Sequence, residues 1–301
     1  MHTQRLAPLA IAWTLAACSG GSMSVTDAGG SDATDARADA MHDAAPPTDA
    51  PIAVDVVDAV DAPPVDAPAD PCAGRIFCDD FEHHTLGMPP AAPWQRHETN
   101  GSVDIDGTHT RSGTRALHVR TNAGSYKSAL GFIDGAPYFP IAGGVVYGRM
   151  MFYTDSAAND GVHWTMLQGS GPLPGHAGVT AYYRYGGMWM GQMMANYETN
   201  GSNTDCWNNT MDALPTARWA CMEWRFDTSQ NDMRFWLDGT EVTSMHVHQT
   251  GQGCVAHDLG DQWLAPTFMR MSVGWESYQQ DDAREAWIDD VIVDDAPIGC
   301  P

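Results

Sequence analysis

Along the second half of the chain, apolar and polar positions alternate in short runs rich in aromatic and β-branched residues, each closed by Gly, Pro, Asn or Asp. Successive side chains of a strand point to opposite faces, so such runs predict half-buried strands. Strands are expected over 131–133, 145–153, 162–168, 180–185, 189–197, 220–227, 233–237, 267–275 and 287–293. Asp238-Gly239 follows Arg234-Phe-Trp-Leu237 and leads into Glu241-Val-Thr243, which is the signature of a two-residue hairpin. No segment carries a long helical period. The expected fold is all-β, an antiparallel two-sheet β-sandwich of the jelly-roll kind.

The first part of the chain follows other rules. Residues 19–71 are almost wholly Ala, Asp, Pro, Ser, Thr, Gly and Val, contain no aromatic side chain and set eleven Asp against Arg37 alone. Such a stretch has little to bury against the entropy of ordering, and a disordered, extended linker is expected, with a reach on the order of 150 Å. Before it, Arg5 precedes an apolar run, Leu6 to Ala17, too short to span a bilayer but suited to a secretory signal. Leu15-Ala-Ala-Cys18 then reads as a lipidation signal in which Cys18 becomes the mature N-terminus. The expected organisation is a lipoprotein signal at 1–18, a linker at 19–71 and one β-domain at 72–301.

That domain carries ten of the eleven tryptophans and every tyrosine and phenylalanine, ample material for a single core. Its 13 basic residues against 27 acidic ones leave about −14, which argues against nucleic acid and against adhesion to an anionic membrane surface. Six cysteines remain beyond Cys18: Cys72, Cys78, Cys206, Cys221, Cys254 and Cys300. An even number without CxxC suits three disulfides in an exported protein. Cys72 or Cys78 with Cys300 would close the domain's ends, and Cys206 with Cys221 is the next expectation.

Three motifs carry a family resemblance. Phe77-Cys-Asp-Asp-Phe-Glu82, His109-Thr-Arg-Ser-Gly-Thr-Arg-Ala-Leu117 and Trp287-Ile-Asp-Asp-Val-Ile-Val293 resemble the concanavalin-like jelly rolls of the polysaccharide lyases, above all the fungal Cip1-like core domain. Glucuronan and alginate lyases are wider relatives, and the resemblance covers roughly residues 76–298. It implies a structural Ca²⁺ where the first strand, the Ser-Gly loop and the last strand meet. Asp80 would offer a carbonyl, Glu82 a carboxylate, Ser112 an oxygen, and Asp289 or Asp290 a further carboxylate, the hard oxygen ligands that Ca²⁺ takes.

The resemblance also implies chemistry on the concave sheet. Breaking a uronate link by β-elimination needs a group that neutralises the carboxylate, a base and an acid for the leaving oxygen. Candidates are Arg149, His163, Gln168, Tyr182, Arg184, Gln192, Asn196, Tyr197 and Tyr278. Period-2 spacing puts Tyr182 with Arg184 on one face, and Gln192, Met194 and Asn196 on one face of the next strand. Arg184 would bind the carboxylate, Tyr182 or Tyr278 would move protons, and His163 would be the base or orient it. Arg149, Gln168, Gln192, Asn196 and Tyr197 would bind substrate. Tyr182 stands where the family pattern has a His. Tyr183 and Tyr185 read as sheet formers with solvated hydroxyls, and Trp207 and Trp263 as loop residues able to stack on sugar or pack in the core.

Other enzyme classes fit less well. Same-face paired carboxylates of a retaining glycosidase are absent, as are a Gly-x-Ser-x-Gly elbow and a phosphate loop. Two functions stand: a surface-anchored lyase acting on uronic-acid-containing polysaccharide, or a calcium-stabilised, non-catalytic carbohydrate-binding or adhesive lipoprotein. Either is expected as a monomer in a bacterial cell envelope, touching membrane only through its lipid. Ser19 after the cysteine leans toward the outer membrane.

Overall fold

The structure is a computed structural model, described over residues 70–201, 204–255 and 259–301. The expected leader with Cys18 and the expected linker up to residue 69 lie outside the described residues. The strands are β1 (Phe77–Asp79), β2 (Gln95–Thr99), β3 (Gly101–Asp106), β4 (Ala116–Thr121), β5 (Lys127–Asp134), β6 (Val145–Thr154), β7 (Trp164–Pro172), β8 (Thr180–Gly187) and β9 (Gln192–Thr199). They continue with β10 (Asp205–Ala213), β11 (Ala220–Asp227), β12 (Asp232–Leu237), β13 (Thr240–Glu241), β14 (Val247–His248), β15 (Gly253–Val255), β16 (Arg270–Ser277) and β17 (Arg284–Asp294). Two 3₁₀ turns, Ala142–Gly144 and Thr243–Met245, are the only helical segments among the described residues.

These strands form two antiparallel sheets, as the alternation predicted. One runs β13-β12-β11-β6-β17-β4-β3, with β1 also on β17 and β14 on β12; the other runs β15-β10-β9-β8-β7-β16-β5-β2. The sheets meet through rings: Tyr185 packs at 4.9 Å on Phe235 and 5.8 Å on Phe226, while within the second sheet Trp164 stacks on Trp275 at 5.0 Å. Tyr183 and Tyr185 are therefore core residues, not solvated sheet formers; the Tyr183 hydroxyl donates to the Trp263 carbonyl at 2.9 Å. Trp263 is fully buried as well. The hairpin at Asp238-Gly239 forms as expected, with both residues at positive φ and Leu237 opposite Thr240.

Two departures bear on function. Trp189 to Gly191 leave the predicted strand and make the turn into β9, with Met190 at φ 48°. Conversely, Trp207-Asn-Asn lies on strand β10 rather than a loop. The disulfides also differ from expectation: they are Cys72–Cys78, Cys206–Cys254 and Cys221–Cys300. Cys206 faces Cys254 because β10 and β15 are register partners, a relation invisible while both strands were unread. Cys300 reaches Cys221 because the tail runs back over the sheet, where the Ile298 and Gly299 amides donate to Glu223.

Candidate functional site

Alternation along five neighbouring strands of the second sheet sends one set of side chains away from the core. Register aligns that set into rows. Ser272 of β16, Gln168 of β7, Arg184 of β8, Asn196 of β9 and Trp207 of β10 are successive cross-strand partners. The row beside it is Arg270, Ser170, Tyr182, Glu198 and Asp205. Antiparallel pairing thus gathers residues distant in sequence into one polar floor, with Tyr126, Tyr278 and Trp189 rising around it.

Arg184 is its centre. The guanidinium is buried, its Nε donates to Gln168 Oε1 at 3.0 Å, and Nη1 pairs with Glu198. It lies over the Tyr182 ring at 4.6 Å and near the Tyr278 ring at 5.8 Å. Beyond it the buried Glu276 carboxylate accepts the Tyr126 hydroxyl at 2.6 Å and the Tyr278 hydroxyl at 2.8 Å. Burial lifts both hydroxyls above the ordinary phenol range, Glu276 adding and Arg184 opposing, so both stay protonated.

His163 is the residue immediately before β7. Its backbone amide donates to Gln279 Oε1 at 2.6 Å and its ring packs 4.9 Å from Tyr278. Burial pulls its pKa down to about 4; Arg184 adds to the pull, while Asp205 and Glu276 oppose it. The imidazole is neutral at neutral pH, and its buried Nε2 has no hydrogen-bond partner. Asn196 donates to Asp205 Oδ1 at 2.8 Å and to the Cys206 carbonyl at 2.9 Å, yet its own buried Oδ1 accepts nothing.

The floor opens into three adjoining hollows. Gln168, Tyr182 and Arg270 bound one of about 560 Å³; Arg184, Tyr126 and Glu276 line a smaller one of about 250 Å³; His163, Trp189, Asn196 and Trp207 line a third of about 400 Å³. Gly253, opposite Trp207, leaves room for its indole, since a side-chain carbon there would meet the ring at 2.7 Å.

The structure therefore brings together Arg184, Tyr182, Tyr278, His163, Gln168 and Asn196. Gln192 shares the Asn196 face by alternation but stands at the start of β9. Two expected substrate-binding residues fall elsewhere. Tyr197 points into the core and stacks on Trp263 at 6.1 Å, because it is one residue out of phase with Asn196. Arg149 belongs to β6 of the other sheet, where it faces Glu223 across the strands and donates to the Gly299 carbonyl at 3.2 Å. Sequence reasoning passed over Glu198, Asp205 and Glu276. Glu276 stands two residues before Tyr278 and Glu198 two after Asn196, so the same period-2 rule would have found both.

The residues expected to hold a metal also converge, on the loop 109–115. Glu82 accepts the Thr114 and Arg115 amides, both at 2.7 Å. Asp289 Oδ2 accepts the Arg111 amide at 2.8 Å and the Ser112 amide at 3.1 Å, while the Ser112 hydroxyl donates to Asp290 at 2.8 Å. Gly113, at φ 54°, is required here, since a side chain would strike Glu82. Asp80 caps the Glu82 amide at 3.2 Å. Burial pushes the Asp289 pKa up to about 7, Asp290 adding and the Ser112 and Arg111 amides opposing. Two adjacent carboxylates without an ion-pair partner among the described residues are a donor set that suits a hard cation. A separate cluster, Asp79 with His83 and His84, is a packing device: His84 uses one ring nitrogen on Asp79 at 2.9 Å and the other on the Ala91 amide at 3.0 Å.

An antiparallel sandwich with a polar cleft on one sheet and acids gathered at the opening and closing strands defines a class, and sequence comparison agrees with it. Residues 91–296 match the polysaccharide lyase-like family described as Cip1-like, core domain, and the chain belongs to that family. Among solved structures it is similar to the cellulose induced protein Cip1, with a TM-score of 0.56 and 21% identity over 75% of this chain and all of that one. It is also similar to an endo-β-1,4-glucuronan lyase from the fungus Trichoderma reesei, with a TM-score of 0.48 and 13% identity over 74% of this chain and 96% of that one. No curated protein sequence matches the chain.

Proposed function

We propose that the concave cleft binds a uronic-acid-containing polysaccharide and cleaves it by β-elimination. The observation that carries this reading is the buried Arg184, set in one row with Gln168 and Asn196 and flanked by Tyr182, Tyr278 and the neutral His163. Arg184 would hold the uronate carboxylate through the edge of the guanidinium that Gln168 and Glu198 leave open, favouring charge that builds on it as the adjacent proton leaves. His163 takes the proton from the carbon next to the carboxylate. The bond from the neighbouring carbon to the glycosidic oxygen breaks as a carbon–carbon double bond forms, and Tyr278, held protonated, supplies the leaving oxygen with its proton. Glu276 accepts the Tyr278 hydroxyl in the resting site, and that hydroxyl turns from it to the leaving oxygen as the proton moves.

Ca²⁺ at Glu82, Ser112 and Asp289 or Asp290, with the Asp80 carbonyl, would serve as a structural ion tying the domain's opening strand to its last. Lipidation at Cys18 and the acidic linker would hold the domain outward from a bacterial envelope, the outer membrane being favoured.

The test is ultraviolet absorbance of unsaturated uronate while the calcium-loaded protein is mixed with glucuronan, alginate, pectate and glycosaminoglycan. A rise that disappears in Arg184→Ala supports elimination at this site. The ion pair of Arg184 with Glu198 favours a second reading, a binding module, and a flat trace with polymer retained on an affinity gel would select it.

A further inference from the structure

We infer that the hollow bounded by Trp189 and Trp207 is a subsite for an uncharged pyranose. If the reading of Arg184 as the uronate subsite holds, the polymer then carries a neutral sugar beside its uronate and is not a homopolyuronate.

Charge along the cleft makes the case. The hollow of about 400 Å³ is lined by no lysine or arginine among the described residues, and its one full charge is the Asp205 carboxylate. A second uronate seated there would meet Asp205 with no cation to offset it, in a site partly shielded from water. On the opposite flank Arg270 pairs with Asp134 at 2.7 Å, as Arg184 pairs with Glu198. Among the described residues, the two arginines that reach the cleft, Arg184 and Arg270, both stand outside this hollow.

What the hollow does offer suits a neutral sugar. Two indoles give apolar faces on which the C–H face of a pyranose can rest, Trp189 being half exposed and Trp207 partly so. Asn196 Oδ1 is buried, unpartnered, and lines this hollow. Buried polar atoms without partners are rare in folded proteins, and a sugar hydroxyl, which can donate, would satisfy it. Trp207 stands two strand spacings from Arg184, ~10 Å, so the two subsites can hold different units of one chain.

The experiment titrates the full chain, calcium-loaded and at neutral pH, with a neutral hexasaccharide (cellohexaose or xylohexaose) and with a glucuronan hexamer, following tryptophan fluorescence and calorimetry. In the Arg184→Ala protein, where no carboxylate contact remains to favour the charged chain, the neutral sugar is expected to quench fluorescence and bind roughly ten-fold more tightly than the charged one, as a like charge near Asp205 implies. Trp207→Ala should abolish the quench, and Asp205→Asn, which keeps the shape and the acceptor for Asn196, should narrow the gap. Equal or tighter binding of the glucuronan hexamer to the Arg184→Ala protein, or a quench unchanged in both Trp207→Ala and Trp189→Ala, overturns the subsite. A neutral sugar that binds here while no polymer yields unsaturated product would remove elimination and leave the subsite. Glucuronan cleaved as fast as a polymer alternating glucuronate with N-acetylhexosamine would do the reverse.

Discussion

His163 should be a histidine that refuses its proton until the solution is strongly acidic. The fall from an ordinary 6.5 to about 4 is worth roughly 3 kcal/mol, at about 1.4 kcal/mol per pH unit. Its folded pKa lies below its unfolded one, so the native state gains nothing from this group above about 6.5. As pH drops from there toward about 4, the unfolded chain takes up a proton that the native chain excludes, and up to roughly 3 kcal/mol of stability is lost. His163→Gln removes the titrating group, so urea unfolding of wild type and variant, followed across this window, should diverge by that amount as the solution is acidified. Nuclear magnetic resonance of the His163 ring gives the pKa directly. Glu276→Gln and Asp205→Asn should each lower it further, because both charges now raise it. The acid limb of turnover should follow the same group. A ring titrating near 6.5, or parallel stability curves, would refute the argument that burial governs this side chain and would leave no reason to read it as a base held ready at neutral pH.

Arg184→Ala should lower kcat/KM for the cleaved polymer by about 10²–10³, the usual loss when a donor to developing charge is removed, while Arg149→Ala on the other sheet should leave it unchanged. Calcium at about a hundred times its Kd should stabilise the domain by about 2.7 kcal/mol, seen as a rise in Tm that a chelator reverses and that Glu82→Gln abolishes; a Tm indifferent to chelator would remove the ion. The Cys221–Cys300 pair closes 79 residues and Cys72–Cys78 only six, so chain entropy gives about 4.5 and about 2 kcal/mol respectively. Paired Cys→Ser variants compared by denaturant unfolding should keep that order, and equal losses would contradict it.

Much of this cleft was legible before any coordinates. Arg184 with Tyr182, and Asn196 with Met194, followed from alternation alone, because a strand has no other way to place residues two apart. Tyr197 failed by the same rule, since it is the neighbour of Asn196 and had to face the core. Arg149 could not be assigned to a sheet from its own strand, because alternation sets the face within a strand and not which sheet the strand joins. Strand β10 was hidden: Asp205-Cys-Trp-Asn-Asn is poor in β-branched residues, and its place at the end of the cleft comes from pairing with β9. With it went the Cys206–Cys254 bridge and the role of Asp205. The gathering of Glu82, Ser112 and Asp289 was anticipated from the family motifs, which lie far apart in sequence and offer no local spacing of their own.

The central claim is that Arg184 anchors an elimination, and the masses of the products made from a uronate-bearing polymer test it most directly. Elimination yields fragments whose new non-reducing ends are lighter by one water than those of hydrolysis, formed by the wild type and missing with Arg184→Ala. Fragments at the hydrolysis mass, or full cleavage by the Arg184→Ala protein, would contradict the account.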